Sequence, residues 1–287
     1  MHVVGLVLHP ERDCGGVVSA VLSWAARRDI QILGVDTEIR RLHCAADAVT
    51  AEELRRRADL IVSLGGDGTM LRAMRLADGQ RSPVLGVNLG KLGFLAEVDV
   101  PDLPDALSAI DSHQYTTEPR LAVDAMIGGQ AITAFNDIAF VRFPGQHTAA
   151  IAVRAAGRHF VSYAADAVVV ATPTGSTAYS FSAGGPIVSP AVEALLVTPV
   201  APHSAYNRGL VVSPGDEVAL DVLPDSGQLA VEADGIVAAN VGPGDRIELM
   251  PRPGAARVVR LGRTTFYERA RRKLRVTDSA EISVTWP

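Results

Sequence analysis

The run Leu60-Ile61-Val62-Ser63-Leu64-Gly65-Gly66-Asp67-Gly68-Thr69-Met70-Leu71 constrains this chain more than any other stretch. Five apolar or small residues of strand character meet a turn with three glycines, and a helical pattern follows at once. Glycines in such a turn supply positive φ or close backbone approach. The first N–H groups of the helix lack intrahelical partners and sit at the positive end of its dipole. That combination binds phosphate. A carboxylate, Asp67, lies in the middle of the turn, where phosphate would repel it. It makes sense there as a metal ligand beside the phosphates or as a base for an attacking nucleophile. Both readings point to phosphoryl transfer.

A strand–turn–helix unit needs parallel partners, and the first third of the chain supplies them. Val3 to Leu8 and Ile30 to Val35 read as strands, and Val17, Val18, Val21, Leu22 and Ala25 recur at helical spacing. Thr50 with Glu53 reads as a capping box opening a helix through Arg57. Val84 to Leu95 repeats the strand-into-glycine pattern, and Pro101 to Ile110 reads as helical. Alternating strand and helix predicts a Rossmann-like parallel sheet with ligands at the carboxyl ends of its strands.

Near Pro119 the pattern changes. Leu121–Ile127, Ile132–Val141, Ile151–Arg154, Glu217–Val222, Gln228–Val231, Arg246–Met250 and Arg257–Leu261 are short runs set apart by Gly and Pro turns. They predict a mostly antiparallel β domain. The expected class is α+β in two domains. Residues 1–118 form an α/β domain, residues 119–263 a β-rich domain, and a C-terminal helix within 264–287 packs back on the first. The cationic residues of that tail, Arg269, Arg271, Arg272, Lys273 and Arg275, read as a solvated helix face.

Bulk properties remove several classes. The 287 residues are 48% hydrophobic, enough for a large core, and the net charge of −5 argues against a general nucleic-acid binder. Cys14 and Cys44 are far apart, form no CxxC, and read as free thiols in a reducing compartment. No basic leader and no membrane-length apolar run is present, so a cytoplasmic protein away from membranes is expected. His147, His159 and His203 lack metal-ligand spacing, and no residue is assigned to a metal. G-x-x-x-x-G-K-[ST] and G-x-S-x-G are both missing.

Two further stretches carry chemistry. Thr172-Pro173-Thr174-Gly175-Ser176-Thr177-Ala178-Tyr179-Ser180-Phe181-Ser182 packs seven hydroxyl residues between a strand and Gly184-Gly185-Pro186. Hydroxyls and backbone N–H groups suit phosphate, ribose and base edges, and Tyr179 suits stacking on a heterocycle. Asn136-Asp137 interrupts an apolar run in which both residues are disfavoured. The pair is either a bulge or turn, or a carrier of side chains to a ligand.

In these residues the chain resembles the NAD kinase family. The similarity lies in Gly65-Gly66-Asp67-Gly68-Thr69, the block from Gly86 to Leu95, Asn136-Asp137, and Thr172 to Ser180, in that order. Ser182 to Pro186, Pro202-His203, Asn207-Arg208, Asp234-Gly235 and Lys273-Leu274 extend it over nearly the whole chain. Gly-Gly-Asp-Gly alone is shared with diacylglycerol-type lipid kinases and phosphofructokinases. The Thr-Pro-Thr-Gly-Ser-Thr-Ala-Tyr block is far more specific. The resemblance implies phosphorylation of the adenosine ribose 2′-hydroxyl of NAD to give NADP, with ATP, or alternatively inorganic polyphosphate, as donor. It also implies Mg²⁺ on the phosphates and a homodimer or homotetramer. Asp67 is implied as the general base, and Gly66, Gly68 and Arg72 as phosphate contacts. Asn136 and Asp137 are implied at the adenosine, and Asp166 at the nicotinamide side. Thr177, Ala178, Tyr179, Ser180, Phe181 and Ser182 would hold adenine and ribose. His147 and Ala201 complete the implied contacts. The family commonly reads Gly-Asp-Gly where this chain has Ala165-Asp166-Ala167, a basic residue at Ala164, and Gln at Ile236. The other readings are a related kinase for a lipid or sugar hydroxyl, and a nucleotide-binding regulator without catalysis.

Overall fold

The computed structural model describes residues 1–90 and 93–277. Lys91 and Leu92 of the second glycine block, and residues 278–287 of the tail, lie outside the described residues. Two compact units are formed. One comprises 1–76, 82–117 and the residues from 259 onward, and the other 77–81 and 118–258.

The first unit is a parallel sheet with helices. Its elements are β1 (Val3–Leu8), α1 (Gly15–Ala26), β2 (Gln31–Val35), α2 (Asp36–Leu42), β3 (Asp47–Val49), α3 (Ala51–Arg57), β4 (Leu60–Gly65), α4 (Asp67–Ala77), β5 (Val84–Asn88), β6 (Val98–Asp99) and α5 (Leu103–Asp111). The spatial order is β5-β4-β1-β2-β3, every pairing parallel. Residues of β1, β4 and β5 are buried almost throughout, as strands covered on both faces must be. Val18, Val21, Trp24 and Ala25 of α1 join that core at helical spacing. The capping box expected at Thr50 is half made. Thr50 accepts from the Glu53 N–H, while the Glu53 carboxylate turns to Arg57 at 2.6 Å.

The second unit is two layers of antiparallel sheet. It contains β7 (Thr116–Ile127, apart from its first two residues), β8 (Gln130–Ala134), β9 (Asp137–Arg142), β10 (Ala149–Ala155), β11 (Arg158–Ala165), β12 (Ala167–Ala171), α6 (Tyr179–Ser182), β13 (Leu195–Val200), β14 (Leu210–Val212), β15 (Val218–Val222), β16 (Leu229–Ala233), β17 (Ile236–Val241) and most of β18 (Arg246–Arg260). One layer runs β14-β13-β12-β9-β16-β17 and the other β11-β10-β15-β18. Ile138, Phe140, Val168, Val170 and Val231 from the first meet Ile151, Val153, Leu220 and Leu249 from the second in one core. The run Ile132–Val141 breaks at Phe135-Asn136 into two strands. The two runs at Arg246–Met250 and Arg257–Leu261 instead fuse into β18, because Gly254 takes φ +64° and lets the strand continue past Pro253.

The last helix, α7 (Phe266–Lys273), belongs to the first unit. Thr265 and Glu268 form a reciprocal capping box at its start. Arg269 and Ala270 are buried, so its cationic run is not simply a solvated face.

Candidate active site

In the first unit everything turns on the β4–α4 junction. Asp67 is the first residue of α4, and the Met70 N–H closes the first helical bond on the Gly66 carbonyl. The three glycines do not take positive φ. They serve close approach instead. A Cβ on Gly65 would lie 2.1 Å from Thr69 Oγ1, whereas one on Gly66 or Gly68 would meet nothing within 4 Å. Gly65 therefore lets the turn close on buried Thr69, and Gly66 and Gly68 leave backbone open to a ligand.

The Asp67 carboxylate is held from three sides. Oδ2 accepts from the Phe94 N–H at 2.9 Å and from Lys273 Nζ at 3.1 Å, and Oδ1 accepts from the Leu95 N–H at 3.0 Å. The Lys273 ammonium also stands 4.5 Å from the centre of the Phe94 ring. A Cβ on Gly93 would sit 2.2 Å from Asp67 Oδ1. Behind this loop, buried Arg260 donates to the Leu95 carbonyl at 3.0 Å, and Glu97 accepts from the Leu261 and Arg263 N–H groups. Arg72, one turn into α4, is engaged by the buried Glu38 carboxylate and by the Leu8 carbonyl at 3.1 Å. It remains a cation beside the turn.

In the second unit Phe135-Asn136 is the short link from β8, paired with β7, to β9, paired with β12 and β16, and Asp137 opens β9. The Asp234 carboxylate accepts from the N–H groups of Phe135, Asn136 and Asp137. Asp234 (φ +49°) and Gly235 (φ +77°) form the two-residue turn joining β16 to β17. The Asn136 carbonyl accepts from the Thr172 N–H at 2.8 Å, and a Cβ on Gly175 would lie 2.0 Å from that carbonyl oxygen. Burial, and then the neighbouring carboxylates of Asp234 and Glu232, push the Asp137 carboxyl up to about 7.

The hydroxyl-rich block behaves differently from expectation. Thr172, Ser176 and Ser180 are fully buried and bonded within the protein. Thr172 donates to the Phe135 carbonyl, Ser176 donates to Pro173 and accepts from the Val188 N–H, and Ser180 pairs with Thr198. Ser180 is wholly buried, and its hydroxyl is taken up by Thr198. Thr177, Ala178 and Tyr179 are half-buried, and Phe181 and Ser182 are exposed. Tyr179 packs on Ala139, Val169, Ala171 and Leu196. Its hydroxyl is raised above the usual tyrosine value by burial first, then by the charges of Glu232, Asp137 and Asp166.

Asp166 lies at the other end of the same strands. It accepts from Arg142 Nε at 2.5 Å, and its N–H donates to the Val200 carbonyl, which brings in Ala201 with φ +46°. Arg142 lies five positions along β9 from Asp137, about 17 Å at strand rise. His147 is exposed in the loop between β9 and β10. Sequence reasoning missed Arg142, Asp234, Gly93, Arg260 and Lys273 as partners of site residues. Only Gly93, Asp234 and Lys273 carried a signal, as parts of the family-like blocks.

The descriptions of two families match the two regions just described: the ATP-NAD kinase N-terminal domain over residues 37–115 and the ATP-NAD kinase C-terminal domain over 135–261. The chain belongs to the NAD kinase family. It is 39% identical to NAD kinase 1 of Streptomyces avermitilis, over 99% of this chain and 92% of that one. It is 37% identical to the NAD kinase of Desulforamulus reducens, over 96% and 98%. Yeast NADH kinase, solved with NADH, superposes with a TM-score of 0.84 at 25% identity, covering 100% of this chain and 90% of that one. An NAD kinase from Archaeoglobus fulgidus, solved with ATP, gives 0.75 at 25% identity over 95% and 98%. NAD kinase activity follows from that membership, and the family's mixed architecture is the one observed.

Proposed function

We propose that Asp67 takes the proton of the adenosine ribose 2′-hydroxyl of NAD while the terminal phosphoryl of ATP passes to that oxygen, giving NADP. The observation that carries this reading is the state of the Asp67 carboxylate. It is anchored by two peptide N–H groups and a lysine, yet Oδ1 has accepted only one of these three bonds. A base must be fixed and must still hold a lone pair within hydrogen-bond reach of its proton. Open backbone at Gly66 and Gly68 suits phosphate oxygens at the start of α4, with Arg72 as a nearby cation.

Asn136 and Asp137 take the adenosine in this reading. A carboxyl that is part neutral near pH 7 can donate as well as accept. Tyr179 stacks, Thr177, Ala178, Phe181 and Ser182 contribute the remaining contacts, Ser180 holds the segment in place through Thr198, and Asp166, steadied by Arg142, serves the nicotinamide side with Ala201 and His147. Residues 1–118 with the C-terminal helix are the phosphoryl-transfer domain, and 119–263 the NAD-binding domain.

ATP is the phosphoryl donor. Mg²⁺, when bound, neutralises charge on the triphosphate. In this reading the ion is carried by the ATP phosphates, as Mg²⁺ commonly is. A homodimer or homotetramer is in keeping with the edge strand β17, where Ile236 and Val237 are 57% and 61% exposed. Sedimentation measures that. A cytoplasmic setting fits the free thiols of Cys14 and Cys44.

The test is a coupled assay for NADP formed from NAD and ATP with Mg²⁺, run beside inorganic polyphosphate as donor. Phosphorylation of a lipid or sugar instead of NAD overturns the substrate, and binding of both nucleotides without turnover overturns the activity. Asn136→Ala should raise the Kd for NAD more than that for ATP. An equal loss for both removes Asn136 from the adenosine site.

A further inference from the structure

We infer that Lys273 is a positioning residue for phosphoryl transfer: its ammonium fills the outer oxygen of Asp67 and so assigns the proton-accepting role to Oδ1. This rests on Asp67 as the base.

A carboxylate offers about four lone-pair sites on two oxygens. Oδ2 receives two donors, the Phe94 N–H and Lys273 Nζ. Among the described residues Oδ1 receives one, the Leu95 N–H, and keeps one site. That atom also faces Gly93, where a side chain would collide with it at 2.2 Å. The bare glycine lets the loop lie against the carboxylate without displacing it. Lys273 is itself pinned. Phe94, whose N–H holds Oδ2, presents its ring face to the same ammonium at 4.5 Å, a cation–π contact. The side chains of Lys273 and Asp67 are 34% and 28% exposed, so the pair is shielded only in part and is still reachable by substrate. The helix that carries Lys273 starts at the Thr265–Glu268 box and is anchored by Arg269 and Ala270, which fixes where its last turn arrives. A cation there also suits the negative end of that helix.

The step balances as follows. The 2′ O–H bond breaks and its proton bonds to Asp67 Oδ1. The freed electron pair of the 2′-oxygen bonds to the terminal phosphorus of ATP. The bond from that phosphorus to the bridging oxygen breaks, and ADP leaves with the pair. Through this step Lys273 holds Oδ2 and stops the carboxylate from rotating.

The experiment uses full-length Lys273→Met and Lys273→Arg, with Asp67→Asn as the reference. Lys273→Met should lower kcat by about 30-fold or more while the Kd values for NAD and ATP, measured by calorimetry, stay within about twofold. Lys273→Arg, which can still donate to Oδ2, should recover to within about fivefold of the parent. Retention of kcat within about threefold in Lys273→Met overturns the inference. So does a loss that appears in the Kd for ATP with kcat at saturation retained, since Lys273 would then be a phosphate contact. If Lys273→Met does not fold, Lys273→Gln replaces it with the same criteria. Parental turnover in Asp67→Asn removes the base reading itself. Loss in Asp67→Asn beside retention in Lys273→Met removes only the role of Lys273.

Discussion

The Gly65–Thr69 turn and the Thr172–Ser182 block are both small-residue segments that follow a buried strand, and they work in opposite ways. In the turn, the small residues withhold side chains: Gly66 and Gly68 face open space, and one carboxylate is aimed by backbone from a loop 27 and 28 residues away. In the block, the polar side chains go inward. Thr172, Ser176 and Ser180 tie the segment to Phe135, Pro173, Val188 and Thr198. A buried hydroxyl must be hydrogen-bonded or it costs the fold, so residue type alone does not say which side of a site a hydroxyl serves. The block carries Tyr179 and holds the Asn136 carbonyl through the Thr172 N–H. The turn leaves its backbone uncovered.

Substitutions should separate these roles. Asp67→Asn keeps the shape of the side chain but removes the base, so kcat should fall by about 10³-fold or more with circular dichroism unchanged. Near-parental turnover would sink the contrast at its strongest point. Gly93→Ala inserts a methyl group where 2.2 Å is available to Asp67 Oδ1. Displacing the base by a fraction of an ångström to one ångström should cost about 10²-fold in kcat, with far smaller changes in the Kd for either nucleotide.

Asp137 gives a pH test in the other unit. Its folded value of about 7 lies above the ordinary aspartate value of 3.8. The folded state therefore holds a proton that the unfolded state releases between those values. Stability from this source is full below about pH 4 and is lost as pH rises through 7. Between pH 5 and 8 the parent should lose about 1–3 kcal/mol more than Asp137→Asn. Equal pH slopes in denaturant melts would contradict the raised value. The smallest effect is expected from Ser176→Ala. Leaving the half-buried Val188 N–H without its acceptor should destabilise the fold by about 1 kcal/mol, while KM for NAD changes little. A large KM change with normal stability would return the block to the ligand.

The fold was legible where the signal was local. Strand, glycine turn and helix at 60–77 share one short window, and the change to short alternating runs near Pro119 marks a real change of architecture. The helix α2 escaped notice because Asp36 to Leu42 buries only Glu38 and Ile39, too few positions to show a period. The site was half legible. Asp67 and the Asn136-Asp137 pair stood out by chemistry. Their partners did not, because Lys273 is 206 residues from Asp67 and Asp234 is 98 from Asn136. Nothing in a local pattern records such pairings. The tail cations were read as solvated because helical periodicity counts charges and does not know what lies opposite them.

The strand β12 sets a ruler. Its residues Ala167 to Ala171 are wholly buried and paired on both sides, to β9 and β13, between the Asp166 end and the Thr172 end. Such a strand cannot stretch, and adding one residue would lengthen it by about 3.3 Å while turning every following side chain to the opposite face. The span between the two polar ends can therefore change only in two-residue increments of about 6.6 Å. Whatever the two ends hold, the pleat keeps them at a fixed spacing and on fixed faces.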